Sequence, residues 1–70
     1  IYEVKRKIIK LYKKHNYFGL NDFIKFLTCD PILIYFALND LIENRIKVIN
    51  KNGKSGTIIY KNGIYVFNSN

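Results

Sequence analysis

Seventy residues carrying twelve Lys/Arg against five Asp/Glu give a net charge of +7 and room for one small domain. An apolar share of 49%, with six Tyr and five Phe, is enough to pack a core and excludes a disordered tail. The lone Cys29 excludes a disulfide framework and points to an intracellular setting, nucleus or cytoplasm, while no apolar run approaches the ~18 residues of a membrane span. No signal peptide is visible, because Ile1-Tyr2-Glu3-Val4-Lys5-Arg6 reads straight into an amphipathic helix. The first residue is not Met, so a fragment of a larger protein is expected. Part of the basic excess can reflect AT-rich codons (Lys, Asn, Ile and Tyr are all abundant), so where the charge sits matters more than its total.

The elements follow in order. Residues 2–15 read as a first helix, with Val4, Ile8, Leu11, Tyr12 and His15 at helical spacing on one side, ending near Asn16 with Gly19 as a breaker. Tyr17-Phe18 has room for one very short strand. Asn21 is a candidate N-cap for a second helix over 22–28, with Leu20, Phe23, Ile24 and Leu27 inward. Asp30-Pro31 is a sharper start signal, a capping carboxylate followed by proline in the first turn, and opens a third helix reaching about Asn44. The apolar period then changes to two. Residues 46–50 and 57–61 read as strands joined by the turn-rich stretch 51–56. Asn62-Gly63 supplies the paired positive-φ positions of a tight hairpin, and 64–68 returns as a last strand. The expected class is therefore α+β: a three-helix bundle followed by a small three-stranded antiparallel β-meander.

The third helix closes in Ala37-Leu38-Asn39-Asp40-Leu41-Ile42-Glu43-Asn44 before passing into a strand, and this resembles the pattern of winged-helix domains over nearly the whole chain. The stretch Lys51-Asn52-Gly53-Lys54-Ser55-Gly56-Thr57-Ile58-Ile59-Tyr60, continuing into Asn62-Gly63-Ile64-Tyr65-Val66-Phe67, resembles the wing of such domains in particular viral proteins. Those are the helicase-like and early-transcription-factor proteins of large nucleocytoplasmic DNA viruses. The resemblance implies a winged helix serving as an accessory DNA-binding module of a transcription or replication protein, in host cytoplasm or virion if viral. Any ATPase motifs would then lie elsewhere in that protein.

Face by face, the charges separate. On the first helix Arg6, Lys7, Lys10, Lys13 and Lys14 fill an arc away from Val4, Ile8, Leu11 and His15. Such an arc is either a solvated face or a phosphate-facing stripe, since five like charges repel unless something anionic offsets them. The third helix is expected to turn Ile34, Tyr35, Leu38, Leu41 and Ile42 inward. Its other arc holds Ile32, Leu33, Phe36, Asn39, Asp40 and Glu43, with Leu33 expected to be covered by the first two helices. That arc has no Lys or Arg, so it lacks the bidentate donor that reads guanine in the major groove. It resembles a protein-docking surface more closely. Lys51 and Lys54, on a Gly-bearing loop, suit backbone or minor-groove contact.

Other chemistry finds no support. Gly53-Lys54-Ser55 matches the end of a phosphate-binding loop, but Val48 stands where its first glycine belongs and a strand follows where a helix should. One Cys and one His cannot build a tetrahedral zinc site. Cys29 reads as a packed core thiol, and His15 as a helix-end residue with no nucleophile to serve. Glu3, Asp22, Asp30, Asp40 and Glu43 are scattered, two of them as caps. No catalytic function, cofactor, metal or membrane is expected. The primary expectation is DNA binding through Arg6, Lys10, Lys13, Lys14, Lys51 and Lys54, mostly to phosphates. The alternative is protein docking through Ile32, Phe36, Asn39 and Glu43.

Overall fold

The computed structural model describes residues 1–69, in the order α1 (Tyr2–Leu11), β1 (Tyr17–Gly19), α2 (Leu20–Leu27), α3 (Pro31–Glu43), β2 (Val48–Ile49), β3 (Ser55–Lys61) and β4 (Ile64–Ser69). In α1, Val4 and Ile8 are buried, and Tyr12 follows one turn later. The helix stops at Leu11 and not near residue 15. Tyr12, Lys13 and Lys14 then donate their N–H groups to the carbonyls of Ile9, Lys10 and Leu11 at 3.2, 3.1 and 2.9 Å. This i→i−3 tightening satisfies the last carbonyls. It leaves Tyr12 wholly buried, its hydroxyl donating to the Tyr65 carbonyl oxygen at 2.8 Å, and leaves His15 exposed against expectation.

The second helix begins earlier than residue 22. Asp22 lies in its first turn and its carboxylate accepts the Gly19 N–H at 2.8 Å, so Gly19 is the cap and Asn21 is already helical. Leu20 is left at the surface, and Phe23 and Leu27 carry the packing. The start of α3 follows the local chemistry closely: Asp30 Oδ1 accepts the Ile32 N–H at 2.9 Å, with Pro31 in the first turn. Its buried set is Ile34, Ala37, Leu38 and Leu41. Tyr35 is 49% exposed, which corrects its inward placement, and Leu33 is 42% exposed and not covered by the first two helices. Apolar residues fill nearly every position from Ile32 to Leu38, so periodicity could not orient the first half of this helix.

The sheet has four antiparallel strands in the order β1-β4-β3-β2, one more than expected. The predicted meander β2-β3-β4 is present, and β1 adds to its far edge through Tyr17↔Val66, Phe18↔Tyr65 and Gly19↔Ile64. The Phe67 N–H donates to the Asn16 carbonyl at 2.7 Å and prolongs that ladder. β2 is short because Arg45, at φ +50°, turns the chain sharply out of α3, and Asn50 at the other end turns into the next loop. Asn62 and Gly63, at φ +51° and +83°, make the hairpin turn as predicted. Gly56 is required where β3 crosses β4, since a Cβ there would lie 2.3 Å from the Asn68 carbonyl oxygen. Between the layers, Tyr12, Phe18, Phe23 and Tyr65 form a chain of tilted and edge-on aromatic contacts with centroids 5.0–6.3 Å apart. No helix among the described residues is long and apolar enough to cross a membrane.

Candidate nucleic-acid interface

Arg6, Lys7, Lys10, Lys13 and Lys14 are all exposed on α1 and the turn that follows it. Burial of Val4, Ile8 and Tyr12 sets the orientation of the helix, which centres its open face on Arg6, Lys10 and Lys13. Lys14 sits to one side and shares a surface hollow with Leu11, His15, Phe18 and Phe26. Among the described residues the one ion pair joins Lys5 to Asp40, so none of these five cations is neutralised by a carboxylate. Arg6 lies over the Tyr2 ring at 6.0 Å, the outer limit of a cation–π contact. Glu3 is the single acid on the helix.

The β2–β3 loop is organised by Asn50, which the strand period places at the end of residues 46–50. Its side-chain oxygen accepts the N–H groups of Asn52 and Lys54 at 2.9 and 3.0 Å. Its own N–H donates to the Lys54 carbonyl at 2.9 Å, and its carbonyl accepts from Gly53 at 3.0 Å. Gly53 takes φ +78°, a conformation that glycine adopts without strain. The signal that could have found this is Asn-x-x-Gly, an Asx turn with glycine at its last position. Asn50 is buried, whereas Lys51 and Lys54 project into solvent from a backbone held on four hydrogen bonds.

One contact ties this loop to the segment that follows α1. The Asn50 side-chain amide donates to Asn16 Oδ1 at 3.4 Å, just past the end of the helical turn. Farther back, Ile46 shares a hollow with Tyr2, Lys5, Arg6, Ile9 and Leu41. Ile46 thus lies near the side of α1, and the exposed Lys47 follows it in the chain. Lys47 was not among the expected contact residues. Its signal was weak, a lone lysine on what read as an ordinary strand.

Of the alternative docking set, Ile32 is 61% and Phe36 53% exposed; Glu43 is exposed and Asn39 half-buried. All four fall on one line of α3 at helical spacing. Asp40 departs from that line: it accepts from Lys5 on α1 and from the Asn44 side chain. The Lys5 hydrogen bond holds its carboxyl below the usual carboxylate range. Cys29 is half-buried, with Sγ 3.2 Å from the Leu27 carbonyl. The His15 ring meets Phe18 edge-on at 6.0 Å. Burial pushes the Tyr12 phenol far above its ordinary pKa, with Tyr65 adding to the shift.

Comparison of the chain with protein-family models, with curated proteins and with solved structures finds no match in any of the three.

Proposed function

We propose that this chain is a winged-helix domain that binds DNA, mainly through phosphate contacts from α1 and the β2–β3 loop acting as its wing. In this reading it is a non-enzymatic module of a transcription or replication protein, in keeping with its resemblance to viral winged-helix domains. The order of three helices and a closing antiparallel meander supports the fold assignment. The observation that carries the function is the adjacency of two sets of uncompensated cations. Arg6, Lys10, Lys13 and Lys14 belong to α1 and its turn, and Lys51 and Lys54 belong to a loop tied through Asn50 to Asn16, two residues past that turn. A polyanion relieves the mutual repulsion of both sets at once and releases its own counterions. The outer face of α3 offers no Lys or Arg, so guanine readout by that helix has no donor, and sequence-tolerant binding is expected. The test is binding of the chain to a short labelled duplex, with a single strand in parallel, over a salt series. Log-linear weakening with salt supports the reading, and no binding at low salt refutes it.

The second reading is protein docking through Ile32, Phe36, Asn39 and Glu43. It is favoured by two large apolar side chains, Ile32 and Phe36, left more than half exposed on one helix face. A central aromatic anchor of this kind supplies a large share of binding energy.

A further inference from the structure

Between the β3–β4 hairpin and α3 the molecule opens a groove of about 380 Å³. Tyr60 and Tyr65 are cross-strand partners on its sheet side, ring centroids 4.9 Å apart and planes inclined at 58°. From the helix come Tyr35, Asn39, Ile42 and Glu43, positions i, i+4, i+7 and i+8, which share one side of α3. Tyr65 is buried and Ile42 half-buried. Tyr35 and Tyr60, 49% and 60% exposed, leave large ring faces open to solvent.

The polarity of this groove is opposite to that of the α1 face. None of the chain's twelve Lys/Arg lines it, and its charged group is Glu43, which has no ion-pair partner among the described residues. Burial first, then the neighbouring phenols of Tyr60 and Tyr35, push Tyr65 above its ordinary pKa. The Tyr65 phenol thus keeps its proton, and the three tyrosines offer π faces and oxygen lone pairs. Aromatic faces with one carboxylate and one amide suit a desolvated cation. A planar cation stacks on inclined rings while its N–H groups reach Glu43 and Asn39, and among side chains that is the guanidinium of arginine. A nucleobase would also stack here, but the phosphates on either side of it would meet Glu43 with no cation lining the groove.

We propose that the groove between α3 and the β3–β4 hairpin binds an arginine side chain of a partner protein, with Tyr60 and Tyr35 stacking on the guanidinium and Glu43 and Asn39 accepting its hydrogen bonds. The site is separate from the α1 and loop surface, and it stands or falls whether or not that surface binds DNA.

The test is a titration of the 15N-labelled chain with acetyl-Gly-Arg-Gly-amide, followed by amide shifts. Its lysine counterpart, its uncharged citrulline counterpart and a mononucleotide are run in parallel. The arginine peptide should give saturable shifts at Asn39, Glu43, Tyr60 and Tyr65, with a dissociation constant on the order of 1 mM for a single side chain. The lysine peptide should bind more weakly and the citrulline peptide should leave the groove unmoved. Glu43→Gln, at an exposed helix end, should raise the dissociation constant about tenfold. The proposal is overturned by an absence of saturable shifts, by an equal response to lysine or citrulline, by an unchanged constant in Glu43→Gln, or by a groove that answers the mononucleotide and not the peptide.

Discussion

Replacing Lys51 and Lys54 together by glutamine removes two positive charges without touching the hydrogen bonds that shape their loop, because those bonds use main-chain atoms and the Asn50 side chain. Both side chains are exposed, so the fold should be unaffected. Each phosphate neutralised contributes about −0.9 to the slope of log affinity against log salt on duplex DNA. If all six of Arg6, Lys10, Lys13, Lys14, Lys51 and Lys54 reach phosphates, the slope is about −5.4, a loss of roughly 2,000-fold in affinity between 50 and 200 mM salt. The double variant should show about −3.6, or roughly 150-fold over the same interval. Fluorescence anisotropy with a labelled duplex at five or six salt concentrations measures both slopes, and circular dichroism checks the fold. A variant slope within about 0.5 of the parent would remove the loop from the interface. The cations of α1 would then act alone or as solvation.

Asn50→Ala should destabilise the chain by about 1–3 kcal/mol in denaturant unfolding, because the N–H groups of Asn52 and Lys54 lose a shared acceptor. It should also weaken DNA binding at fixed charge, which separates loop shape from loop charge. Gly56→Ala should cost more than about 2 kcal/mol, since the new Cβ collides with the Asn68 carbonyl and the Phe67 ring; unchanged stability would mean that β3 and β4 separate more readily than their register implies. Stability should fall as pH rises from about 10. The unfolded Tyr12 phenol ionises there while the folded one, its pKa raised by burial, keeps its proton, so the stabilisation present below pH 10 is lost on the way up. Tyr12→Phe should remove up to about 1.4 kcal/mol per pH unit from that slope, read from denaturant curves between pH 9 and 11.

What the sequence made legible is local chemistry. Asp30-Pro31 starts α3 where a capping carboxylate and a proline place it, and Asn62-Gly63 turns the hairpin as two positive-φ positions demand. What it hid is decided by residues far apart in the chain. Tyr17-Phe18 has strand potential, but only pairing with residues 65 and 66 makes it the fourth strand. The early end of α1 follows from Tyr12 reaching a carbonyl 53 residues away. Leu33 and Tyr35 were misplaced because an almost wholly apolar half-helix has no polar side to orient it.

The candidate interface divides along the same line. That α1 carries a basic arc follows from spacing on one helix. That Lys51 and Lys54 lie near the turn that ends it follows from Asn50 meeting Asn16, and Lys47 adjoins Ile46, which shares a hollow with Ile9; no periodicity encodes either. The one cation drawn out of the α1 surface, Lys5, is also the one that pairs, and its partner Asp40 is thereby removed from the outer line of α3. That pairing sharpens the contrast between two surfaces. The α1 face retains cations without counter-ions, while the open side of α3 keeps Glu43 among tyrosines, where the approach of a phosphate is repelled and that of a guanidinium is favoured. Under the two proposals, a polyanion on the α1 face and a cationic side chain beside Glu43 would occupy separate surfaces of a domain of +7 charge and would not compete.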